Sequence, residues 1–103
     1  MKIAVTCEED GAIVKELVNA ELYRIYEIEC GAVKDSELVR TISAGHKIIA
    51  PFLADKDVEA LICGEVDKNA KRVYSRYGVI LYSGNSGDAN SILEKFLIGD
   101  FEY

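Results

Sequence analysis

The sequence predicts an α/β fold, with one mixed five-stranded sheet and helices on both of its faces. Three observations predict it. The first forty or so residues hold three segments rich in β-branched and aromatic residues, the last two joined by a tight Cys30-Gly31 turn. From Ser43 the apolar spacing turns helical and alternates with two short, nearly unbroken apolar runs, Val58-Glu-Ala-Leu-Ile-Cys63 and Val79-Ile-Leu-Tyr82. Runs of that kind mark parallel strands covered on both faces. Finally, an acidic residue able to cap a helix follows each run within a few positions, Asp67 after the first and Asp88 after the second.

Taken in order, Lys2-Ile-Ala-Val-Thr-Cys7 is a strand by composition. The charged, irregular stretch 8–21 leads to a second strand, Leu22-Tyr-Arg-Ile-Tyr-Glu-Ile-Glu29, and a third over 33–42, so these two form a hairpin. Ile48, Ile49, Phe52 and Leu53 lie on one face of a first helix. Pro51 is awkward there because it lacks an N–H, so the helix is expected to start late or to kink near His46. The fourth strand covers 58–63. Asp67 then starts a helix with Ala70, Val73, Tyr74 and Tyr77 on its apolar face and Gly78 at its end. The fifth strand covers 79–82. A last helix carries Ala89, Ile92, Leu93, Phe96 and Leu97 inward and runs to about Ile98, with Gly99 after it.

The order β-β-β-α-β-α-β-α puts the antiparallel part of the sheet first and the parallel part second. Right-handed crossovers and short connections then favour the strand order 3-2-1-4-5. This is the ribonuclease H-like, three-layer arrangement. No repeat, linker or low-complexity segment divides the chain, so residues 1–103 are expected to form one domain.

Composition narrows the function. A net charge of −6 argues against a nucleic-acid groove, which needs a basic face. No apolar run is long enough to span a bilayer, and the chain opens on a strand without signal-peptide anatomy. A cytoplasmic protein with no membrane partner is the expectation. Three cysteines, Cys7, Cys30 and Cys63, with no Cys-x-x-Cys pair make neither a disulfide framework nor a zinc ribbon.

In this topology the chain reverses between strands one and four, and the crevice at the carboxyl ends of such strands is the usual ligand site. Cys7 ends strand one, Cys63 and Gly64 end strand four, and Ser83-Gly-Asn-Ser-Gly-Asp88 follows strand five. Strand three should run parallel to strand one, which brings His46 to the same edge. Thiolates and imidazole suit iron, copper and zinc, and helix N-termini attract anions. Cys7, His46 and Cys63 are therefore the candidate metal ligands. Gly64, Ser83, Gly84, Asn85, Ser86 and Gly87 are the candidate cradle for an anionic cluster or a phosphate. Each has a plain structural counterpart, since free cysteines are commonly core residues and Asp88 suits a helix start whatever binds there. An enzyme is not expected. A nuclease of this fold needs an acid inside strand one, where Ile3, Ala4, Val5 and Thr6 stand, and no nucleophile elbow or P-loop occurs.

Several segments carry a family resemblance. The opening Met1-Lys-Ile-Ala-Val, the strand Ala20-Glu-Leu-Tyr-Arg-Ile-Tyr-Glu-Ile-Glu29, Ala60-Leu-Ile-Cys-Gly64 before a helix, and Gly78-Val-Ile-Leu-Tyr-Ser-Gly-Asn-Ser-Gly-Asp-Ala89 resemble the dinitrogenase iron–molybdenum cofactor biosynthesis family. NifX-like proteins and the C-terminal domain of NifB-like proteins belong to it. The likeness spans nearly the whole chain. It implies a ribonuclease H-like fold and a non-catalytic accessory protein that binds or hands over the iron–molybdenum cofactor or its iron–sulfur precursor. Its partners would be other cofactor-assembly proteins. A second reading is a small-anion or partner-binding domain of the same fold without cluster binding. Many members carry His-Phe-Gly before the second strand, where this chain has Glu16-Leu17-Val18-Asn19. Glu16 replaces the histidine and Val18 the glycine. A carboxylate is a poorer ligand for a soft cluster, so the resemblance leaves ligation to Cys7, His46 and Cys63.

Overall fold

The computed structural model describes residues 1–41 and 46–98, apart from the side chains of Val18, His46 and Lys47. Its strands are β1 (Lys2–Cys7), β2 (Leu22–Glu29), β3 (Ala32–Arg40), β4 (Val58–Ile62) and β5 (Ile80–Tyr82). Its helices are α1 (His46–Asp55), α2 (Lys68–Arg76) and α3 (Ala89–Leu97). The sheet order is β3-β2-β1-β4-β5. β1 pairs antiparallel with β2 and parallel with β4, β2 pairs antiparallel with β3, and β4 pairs parallel with β5. The carboxyl ends of β1, β3, β4 and β5 therefore share one edge.

The sheet separates two apolar layers. On one face Ala4, Tyr23, Ile25, Leu61 and Cys63 pack under α1 and α2, through Ile49, Ala50, Leu53, Ala70, Val73 and Tyr74. On the other face Ile3, Val5, Cys7, Ala60 and Ile62 pack under Ala89 and Leu93 of α3. Successive strand residues point to opposite faces, so β1 and β4, buried on both, carry no polar alternation. β3 is an edge strand with almost every residue exposed, and its Lys34, Asp35 and Glu37 keep that edge from pairing with another chain.

Three local expectations are corrected. α1 starts at His46 and carries Pro51 in its interior, so the helix does not begin late. The ring costs one hydrogen bond, which the burial of Ile49, Ala50 and Leu53 on either side of it offsets. Ile48 is 65% exposed and is not part of the core face. Tyr77 likewise leaves the buried face of α2, because that helix already ends at Arg76 and Tyr77 is its C-cap. Ile42 and Ser43, and the tail from Gly99 onward, lie outside the described residues.

The stretch 8–21, irregular in the sequence, is ordered by burial. Ile13, Val14, Leu17 and Ala20 are all buried. A 3-10 turn over Leu17–Asn19 brings the chain back to β2.

Candidate functional site

At the carboxyl edge of the sheet, three connections are joined by backbone hydrogen bonds. Behind β4, Gly64 lies directly beneath the chain at residues 14 and 15. A Cβ there would stand 2.3 Å from the Lys15 carbonyl oxygen and 2.4 Å from that of Val14, so only glycine fits. The neighbouring Glu65 N–H donates to the Lys15 carbonyl at 2.7 Å, and the Leu17 N–H donates to the Glu65 carbonyl at 3.0 Å. The same early segment is tied to the loop after β5. Ile13 N–H donates to the Gly87 carbonyl at 2.8 Å and Ala89 N–H to the Gly11 carbonyl at 2.9 Å.

The Ser83 to Gly87 loop is also fixed from below. Gly84 N–H donates to the Gly64 carbonyl at 2.8 Å and Asn85 N–H to the Cys63 carbonyl at 3.1 Å. The Asn85 side-chain amide donates to the Tyr82 carbonyl at 2.8 Å and to the Cys63 carbonyl at 3.1 Å. Two of the amides expected to cradle an anion, Gly84 and Asn85, are thus spent on the carbonyls of the turn after β4. Ser86 and Gly87 form the exposed tip. Asp88 caps α3 by accepting from the Ser91 N–H at 3.0 Å, and Asp67 caps α2 by accepting from the Ala70 N–H at 2.7 Å.

The two edge thiols lie on opposite faces of the sheet. β1 and β4 pair Ala4 with Leu61 and Val5 with Ile62, and that register carries Cys63 opposite Thr6 rather than Cys7. Cys7 accordingly falls in the α3 layer and Cys63 in the α1–α2 layer. A one-residue offset in a strand reverses the face, which is why nearness along the edge does not bring these sulfurs together. The side chain of His46 lies outside the described residues. Among the described residues no group of three or more His, Cys, Asp or Glu side chains is placed to hold a metal ion. Cys30 is exposed in the hairpin turn at the far end of the sheet.

The two thiols differ in chemistry. Burial pushes the Cys63 thiol up to about 12, only partly opposed by the charge of Lys71. It sits among Tyr23, Tyr74 and Thr6, the last a buried hydroxyl with no hydrogen-bond partner among the described residues. Burial raises Cys7 as well, but the Arg24 guanidinium and a hydrogen bond from the Arg24 backbone favour its thiolate. Cys7 also borders a cavity of about 520 Å³, whereas Cys63 is completely buried. Arg24 is the residue that the sequence reading missed. Its signal is the one cation of the β2 run, on the same face as the apolar Leu22 and Tyr26.

Glu16, in the place of the family's histidine, lies at this edge. It pairs with Glu65 in an isolated bridge, and its carboxylate accepts a hydrogen bond from the Asn19 side chain at 3.2 Å. Its neighbour Leu17 is buried under the turn.

The family model described as "Dinitrogenase iron-molybdenum cofactor" matches residues 1–99. The chain belongs to that family. Among its relatives, an uncharacterized protein of Methanocaldococcus jannaschii, MJ0580, is 25% identical over 107 residues, spanning 99% of this chain and 90% of that protein. The crystal structure of PH0822 superposes with a TM-score of 0.90 at 19% identity, covering 99% of this chain and 93% of that one. That likeness speaks to the fold. A Thermotoga protein provisionally assigned as NifB, solved by NMR, superposes with a TM-score of 0.77 at 26% identity, covering 98% of this chain and 90% of that one. The family places the chain among proteins related to iron–molybdenum cofactor handling, and no helix among the described residues is long and apolar enough to cross a membrane.

Proposed function

We propose that this protein is a non-catalytic, NifX-like accessory protein that binds the iron–molybdenum cofactor, or its iron–sulfur precursor, and hands it to other cofactor-assembly proteins. The observation that carries this reading is the family match over residues 1–99. The arrangement of the edge is consistent with it. A carrier must release its cargo, and release is fast when few protein ligands hold it. With Cys7 and Cys63 on opposite faces, one thiol at most meets the cargo on either side of the sheet. Cys7 is the better ligand of the two, because Arg24 favours its thiolate and a cavity opens beside it. His46 begins the helix over the opposite face, and Gly64, Gly84 and Asn85 are engaged within the edge, so of the loop the exposed tip Ser86 and Gly87 remains for contact with cargo.

Anaerobic reconstitution with ferrous iron and sulfide, followed by absorption spectra and iron analysis, tests the reading. The wild-type chain should retain iron, and Cys7→Ala should lose most of it while Cys63→Ala keeps it. Equal iron in the wild type and in a Cys7→Ala, Cys63→Ala double variant would refute ligation by these thiols.

A further inference from the structure

The sheet face that carries α3 is only partly covered. α3 packs over β1 and β4 and reaches β2 at Tyr26, whereas β3 beyond it is exposed. On that side Arg24 stands opposite Leu38, and Leu22 stands opposite Arg40. With Cys7 and Asn90 these residues border the cavity of about 520 Å³, a size usual for small-molecule sites.

The lining carries both signs of charge, Arg24 and Arg40 with Glu8 and Glu9, and what decides its preference is which of them are already paired. Arg24 is half-buried, and among the described residues no carboxylate lies within ion-pair distance of it. A guanidinium remains charged at any ordinary pH, and its fork of N–H donors matches a carboxylate or a phosphate. At the rim Arg40 donates to Glu9 at 2.8 Å, so its charge is already answered. The Tyr26 hydroxyl donates to the Asn90 side-chain oxygen at 2.8 Å, which engages that oxygen and leaves the Asn90 amide N–H groups as donors. The wall between the two arginines is apolar. Leu22 is buried, whereas Leu38 is 50% exposed in mid-strand. A partly buried cation with no counter-ion among the described residues, beside an uncovered leucine, is an unfinished arrangement that a ligand with a charged head and an apolar body would complete.

We propose that this groove binds a small organic anion, its carboxylate or phosphate head held by Arg24 and its apolar stem laid against Leu22 and Leu38. The proposal does not depend on cluster carriage. A chain that never holds iron would still bind such an anion.

Titration of the apo protein with phenyl phosphate and, separately, benzoate, at matched ionic strength and followed by ¹H–¹⁵N NMR, is the test. Saturable shifts of the Arg24, Leu38 and Asn90 amides are expected in the millimolar range or below. A response to phenyl phosphate alone assigns a phosphate head, and a response to benzoate alone a carboxylate. Arg24→Gln should weaken binding about tenfold or more, since a charge-assisted pair is lost. Arg24→Lys should fall between, because it keeps the charge and loses the fork. Leu38→Asp, at an exposed position, should abolish binding without unfolding the chain and keeps the test open if Arg24→Gln folds poorly. No saturable shift with either probe, or affinity unchanged in both Arg24→Lys and Leu38→Asp, would overturn the proposal.

Discussion

At the scale of single residues, the carboxyl edge depends on Gly64. No backbone strain requires glycine there, but the chain at residues 14 and 15 crosses too closely for any side chain. Gly64→Ala must push that crossing apart and break the ties that hold the edge, so it should destabilise by about 2–3 kcal/mol in urea unfolding. Cys63 makes a second prediction. Its thiol titrates at about 12 in the folded chain against an ordinary value of 9.0. The native state therefore binds more protons than the unfolded state between those values, and stability falls as pH rises. The contribution is complete below pH 9 and is lost as pH climbs toward 12. Tyr23 and Tyr74, raised by burial as well, steepen the same fall. Unfolding midpoints across this range should decline, and Cys63→Ala should flatten the decline. Cys7 could be assigned to the Ile3 and Val5 face from the strand period alone. Its relation to Cys63 could not, because the register between β1 and β4 is set by packing across the sheet and not by either strand's own pattern.

At the scale of elements, the strongest local signals in the chain are the two aspartate caps, and both form. Asp67→Ala removes the acceptor for the Ala70 N–H and should cost about 1 kcal/mol by thermal or urea unfolding, with Asp67→Asn retaining most of the stability. Strands β1 and β2 were legible residue for residue, since their composition leaves no competing helical pattern. Helix α1 was less so. Pro51 argues against a helix interior by local chemistry, yet the apolar positions around it are buried in the α1–α2 layer and override that preference. The 8–21 segment was the largest omission. Its buried residues, Ile13, Val14, Leu17 and Ala20, are spaced like one helical face, yet the segment forms only a 3-10 turn over Leu17–Asn19 and fills the edge from an otherwise irregular path. The loop after β5 was read as an open cradle. The acceptors that occupy Gly84 and Asn85 are the Gly64 and Cys63 carbonyls just after β4, about twenty residues upstream, and no local pattern announces them.

At the scale of the whole molecule, the strand order 3-2-1-4-5 was accessible because few right-handed, uncrossed arrangements suit three antiparallel strands followed by two parallel ones. The same topology explains the division of chemistry between two faces. Cys63 lies in a tightly packed layer under two helices, whereas Cys7 and Arg24 lie where a single helix leaves the sheet half open. That asymmetry came from the number of helices on each face together with the register, and it makes Cys7 the focus of the proposed carrier role. The central claim is that this chain carries an iron–sulfur cargo through that face. The most direct test is the iron and acid-labile sulfide content of the full chain purified under strict anaerobic conditions, alongside Cys7→Ala and Cys63→Ala prepared identically. The account predicts bound iron and sulfide in the wild type, retained in Cys63→Ala and lost in Cys7→Ala. Wild-type protein free of iron and sulfide both as purified and after reconstitution, or content independent of Cys7, would contradict it.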